Sequence, residues 1–190
     1  MLIGVFVSGI SYHFYSDQVV YFSINLTLVV SLIGLLWNPN NIRSQYRISS
    51  SKKFFLFSLT GLAFGSLFGL FFITQQGNNY IKVDTPYTVT ALVAVIIQAT
   101  LAEELVFRGY LLSYLLGCGF NREFSVVFQS LIFAGLHARL YSANSTGMLI
   151  VFSIGMATGY LTWKSNNLIP SSILHVVVNL TATLWWLAMT

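Results

Sequence analysis

The chain carries too little charge for a water-soluble domain. Only 7% of its 190 residues are Asp, Glu, Lys or Arg, against about 25% in soluble domains. A soluble fold of this length needs polar residues to cover its surface, and that cover is missing. With 56% of the residues hydrophobic, lipid is the solvent that suits the composition. Cysteine is also scarce. A single residue, Cys118, excludes an intramolecular disulfide and any zinc site built on four cysteines or on paired cysteines and histidines. Its setting, Gly117-Cys118-Gly119, reads as a tight turn in preference to a reactive thiol. The N-terminal stretch 1–14 lacks a basic leader and an A-x-A cleavage pattern, so it reads as a retained membrane segment and not a signal peptide. No internal repeat, low-complexity tract or linker stands out. The length suits one compact bundle.

Seven apolar runs, separated by polar punctuation, fill the chain. They cover about 2–14, 19–37, 54–74, the stretch from Pro86 to about 116, 123–137, 146–163 and 170–189. Long runs without alternation mean helices, and a bilayer admits only helices or closed barrels. The predicted fold is all-α, a polytopic transmembrane bundle of about seven segments. Residues 1–90 would form N-terminal transmembrane helices and 91–190 a core, within one membrane-embedded domain overall. Gly117 and Gly119 stop the fourth helix, and Pro170 opens the seventh.

The net charge of +4 is not a nucleic-acid signal. Four of the nine basic residues, Arg43, Arg47, Lys52 and Lys53, share one inter-helix loop. That loop is expected in the cytoplasm, with the turns at Arg122 and Lys164 on the same side. Gly61, Gly65 and Gly69 recur every four residues on the third helix, a stripe that lets another helix approach closely. Packing within the chain is the first use of such a stripe, and dimerisation the second.

Polar residues inside these runs carry the chemistry. The fourth run contains Glu103, Glu104 and Arg108. Each costs on the order of 3 kcal/mol at mid-membrane, about 9 together. Ten good apolar residues return roughly 3–6 kcal/mol. Partners or water must offset the difference. Glu104 and Arg108 are spaced i,i+4 and can pair along one face. Glu103 lies about 100° round the helix and is left as the free carboxylate. The fifth run ends in Phe133-Ala134-Gly135-Leu136-His137, and the seventh carries His175 and Asn179 on one face. A lone intramembrane histidine is usually a packing residue. Two of them beside a helix with two buried glutamates read as a site. The third, His13, lies among Tyr12, Phe14 and Tyr15 and reads as interfacial.

Three motifs stand in order on separate helices: Glu103-Glu104-x-x-x-Arg108, Phe133-x-x-x-His137 and His175-x-x-x-Asn179. Together they resemble the CAAX-protease and bacteriocin-processing (Abi, type II CAAX prenyl endopeptidase) family, over about 91–187. The resemblance implies peptide-bond hydrolysis within the membrane, on a peptide or lipidated protein substrate surrounded by membrane lipid. It implies that Glu103 activates a water with help from His137. Glu104 and Arg108 would hold the helix and its charge, with Phe133 in support. His175 and Asn179 would stabilise the oxyanion. The residues permit either no cofactor, with a metal-free water activated by the carboxylate, or a divalent metal, since Glu103, His137 and His175 could ligate zinc with an open position; there is no His-Glu-x-x-His helix, and the metal-free form is the one expected. The expected location is the plasma membrane of a prokaryote, with the site facing the cytoplasm. Two other readings use the same residues: a non-catalytic membrane scaffold or bacteriocin-immunity protein, and a proton-coupled transporter. The transporter reading lacks repeat symmetry and a matched pair of broken helices.

Overall fold

A computed structural model of the chain describes residues 51–76, 100–137 and 145–189. The described residues are helical, with no strand among them. The first two apolar runs, most of the basic loop and the start of the fourth run lie outside them. Helix α1 is Lys52–Gln76. A continuous helix over 100–117 follows, in which Leu105–Leu112 is π-helical and Ser113–Gly117, α2, returns to α geometry. Helices α3 (Arg122–His137), α4 (Ser145–Ser165) and α5 (Ile169–Met189) complete the order.

Local chemistry sets these boundaries. Gly119 adopts a left-handed φ of 84°, and its N–H and that of Phe120 return to the carbonyls of Leu116 and Leu115. This is a Schellman stop, which a residue without Cβ adopts without strain. Two residues later Asn121 caps α3, its side-chain oxygen accepting from the Phe124 N–H at 2.7 Å. The Asn167 side chain accepts from the Ile169 N–H at 2.8 Å and starts α5.

The glycine stripe decides how α1 packs. A Cβ on Gly61 would collide with the Pro170 carbonyl oxygen. One on Gly65 would lie 2.7 Å from the Leu174 oxygen, and one on Gly69 2.7 Å from Thr181 Cβ. The paired numbers rise together, so α1 and α5 run parallel in close backbone contact. The stripe is used within the chain, and dimerisation through it has no free surface. The opposite side of α1 exposes Leu56, Leu59, Leu67 and Leu70; a continuous apolar face of this kind suits lipid and not water. By length and composition, α1 (Lys52–Phe71) and α4 can each cross a membrane.

Helices α3 and α4 are antiparallel. Gly155 faces Ser130 and Phe133, and Gly159 faces Val126 and Gln129. A polar side chain fastens this seam: Gln129 Nε2 donates to the Gly155 carbonyl at 2.9 Å. Between α4 and α5 the core is Ile150, Ile154, Leu161, Leu174 and Val178, with Phe57 and Phe68 of α1 against it. Val106, Phe107, Phe133, Ala134 and Val151 form the core around the π-helical segment.

One end of the bundle gathers positive charge. The parallel packing of α1 and α5 sets Lys52 and Lys53 at the end where α5 begins and α4 ends. There the Arg122 guanidinium carbon lies 5.2 Å and Lys164 Nζ 4.4 Å from the Trp163 ring. Among the described residues, every basic side chain except Arg108 is at this end.

Candidate active site

The i,i+4 spacing of Glu104 and Arg108 yields a buried ion pair, Glu104 Oε1 to Arg108 Nη1 at 3.1 Å. Two other helices complete the seat of the guanidinium. Arg108 Nη2 donates to Thr158 Oγ1 on α4, and the Phe133 ring of α3 lies 4.5 Å beneath the guanidinium carbon. A desolvated cation thus meets a counter-charge, a hydroxyl and a π face, which is how an arginine is tolerated at zero exposure.

Glu104 has a second task. Its Oε1 accepts a hydrogen bond from His175 Nδ1 at 2.9 Å. Since a carboxylate accepts, the proton sits on Nδ1. His137 is held in the same manner, with Nδ1 2.8 Å from the Phe133 carbonyl oxygen. Each imidazole therefore turns Nε2 outward. Both Nε2 atoms meet the same oxygen, Glu103 Oε2, at 3.6 Å from His175 and 3.9 Å from His137. These separations are too long for good direct hydrogen bonds. The Glu103 and His137 side chains are 28% and 21% exposed, so the free carboxylate is reachable while its neighbour Glu104 is sealed. Phe133 also packs its ring on both imidazoles, with centroids 4.5 Å from His137 and 5.7 Å from His175.

Asn179 stands one turn beyond His175 on α5. Its Nδ2 donates to Thr100 Oγ1 at 3.0 Å. All the residues singled out in the three motifs thus lie around one polar centre, contributed by the 100–117 helix, α3, α4 and α5. Thr100 and Thr158 stand outside the three motifs. The only available signal is that Thr100 precedes Glu104 by one helical turn, matching the spacing of His175 and Asn179.

Two imidazole nitrogens and a carboxylate are the donor types zinc takes, and zinc-binding histidines also have the other ring nitrogen held. Among the described residues, however, no three His, Cys, Asp or Glu side chains are grouped to hold a metal ion.

No curated protein and no solved structure matches the chain. A family model does: type II CAAX prenyl endopeptidase Rce1-like, over residues 85–181. That stretch is just over half of the 190 residues and contains Glu103, Glu104, Arg108, His137, His175 and Asn179. The chain belongs to the Rce1-like type II CAAX prenyl endopeptidase family.

Proposed function

We propose that this protein is an intramembrane endopeptidase that hydrolyses a peptide bond of a membrane-associated or lipidated substrate with a carboxylate-activated water. One observation carries the reading: Glu103 Oε2 faces His137 Nε2 at 3.9 Å and His175 Nε2 at 3.6 Å within an apolar bundle. Glu103 Oε2 and His137 Nε2 are both acceptors. A water that donates one O–H to each would sit about 2.8 Å from both, and 3.9 Å suits such a bridge. As the water oxygen attacks the scissile carbonyl carbon, Glu103 takes its proton. The carbonyl oxygen becomes an oxyanion. When the C–N bond breaks, Glu103 returns the proton to the leaving amine.

His175 and Asn179 serve the oxyanion. The Nδ1–H of His175 is committed to Glu104, so His175 donates from Nε2 only as an imidazolium. Asn179 uses the second hydrogen of Nδ2, the first being on Thr100.

The positive-inside rule favours the cytoplasmic side for the basic end, and the proposed location is the plasma membrane of a prokaryote. His175, six residues or roughly 9 Å into α5 from that end, favours access from the cytoplasmic face. About seven membrane segments complete the proposal. The decisive experiment uses the full chain in proteoliposomes and a farnesylated peptide ending in Cys-aliphatic-aliphatic-X, with products read by mass spectrometry. Glu103→Gln keeps the shape and removes the base. Cleavage should fall on the order of 10²–10⁴-fold, with folding near wild type. Unchanged cleavage would show that the base lies elsewhere.

A further inference from the structure

The two helices that meet at the site are joined by a two-rung ladder. On the 100–117 helix, Thr100 and Glu104 are one turn apart; on α5, His175 and Asn179 are one turn apart. The helices are antiparallel, so Glu104 pairs with His175 at 2.9 Å and Thr100 with Asn179 at 3.0 Å. The first rung fixes a ring, its tautomer and its direction. The second faces a harder task, because a primary amide can turn over. Its oxygen and nitrogen exchange places at almost no steric cost, and only hydrogen bonding selects one face.

We propose that Thr100 is a positioning residue for the reaction, its hydroxyl oxygen holding the Asn179 amide nitrogen towards the site and the amide oxygen away. This rests on the reading of Asn179 as an oxyanion donor. Thr100 is fully buried, so no water replaces its hydroxyl at that position. Thr100 Oγ1 accepts from Asn179 Nδ2 at 3.0 Å, and that bond turns Oδ1 to the other side of the amide. With the opposite face selected, an amide oxygen would meet the oxyanion and repel it. The hydroxyl thus acts on the reaction through Asn179 alone.

The test uses the full chain, labelled with ¹⁵N-asparagine in nanodiscs, and three variants. The side-chain amide signal of Asn179 is identified by its loss in Asn179→Ala. Thr100→Val keeps the shape and removes the acceptor; it should shift that signal and speed its hydrogen exchange. Thr100→Ser should restore both. An Asn179 signal unmoved by Thr100→Val overturns the proposal without any activity measurement. With the farnesylated peptide, Thr100→Val should lower kcat about fivefold to tenfold with KM unchanged, and Thr100→Ser should recover it. In an Asn179→Ala background, Thr100→Val should have no further effect. An equal loss in both backgrounds would mean a merely structural role and overturn the proposal. Full activity of Asn179→Ala would instead remove the oxyanion role of Asn179, while the amide signal still decides whether Thr100 holds it.

Discussion

Replacing Glu104 by glutamine tests whether the buried pair organises the bundle. Glutamine has the shape of the side chain it replaces and can still accept from His175 Nδ1. What it removes is the only counter-charge within ion-pair distance of Arg108 among the described residues. The guanidinium keeps the Thr158 hydroxyl and the Phe133 ring, and a desolvated cation–π contact returns only about 2 kcal/mol. Stranding one member of a buried pair costs about 3–5 kcal/mol, which is roughly two to four powers of ten in the folding constant. The double variant Glu104→Gln/Arg108→Met removes the stranded charge as well. Replacing a whole buried pair by groups of similar volume is often neutral, so it should recover at least about 2 kcal/mol of the loss. The measurement is reversible unfolding in mixed micelles, followed by circular dichroism as the SDS fraction rises. A Glu104→Gln variant as stable as wild type would refute the reasoning, since Arg108 would then not be a charge held in low dielectric. A double variant no better than the single would locate the damage in His175 and not in Arg108.

Three further outcomes follow from the geometry. Cys118, exposed in the turn at the basic end, should react with a membrane-impermeant maleimide only after cell lysis; labelling of intact cells would reverse the orientation. Gly65→Ala should destabilise the protein by about 1–3 kcal/mol, because its Cβ would lie 2.7 Å from the Leu174 oxygen and 2.9 Å from Val177 Cβ. Ala63→Val, on the exposed side of α1, should leave the same unfolding curve within about 0.5 kcal/mol.

Much of the local order was legible in the sequence alone. The helix stop at Gly119 follows from short-range chemistry. So does the Glu104–Arg108 pair, because four residues on one helix are neighbours whatever the fold. The same rule left Glu103 unpaired, and the composition alone demanded lipid as the solvent. Other features were decided only in three dimensions. Helices apolar all round, such as α1 and α4, mark no inward face, so their periodicity does not say which residues will meet. The stripe of Gly61, Gly65 and Gly69 announced a close approach but not its partner, which is α5. His175 reaches Glu104 across 71 positions and Asn179 reaches Thr100 across 79. Those contacts depend on the rotation and register of two helices, and backbone crowding and core packing set both. The π-helical turn from Leu105 to Leu112, beside the glutamates, likewise has no mark in its residues. Sequence supplied the charged and polar groups and the solvent that makes them costly. Tertiary packing chose which of them face one another, because in a uniformly apolar bundle only the neighbouring helix can provide the partner that water would provide elsewhere.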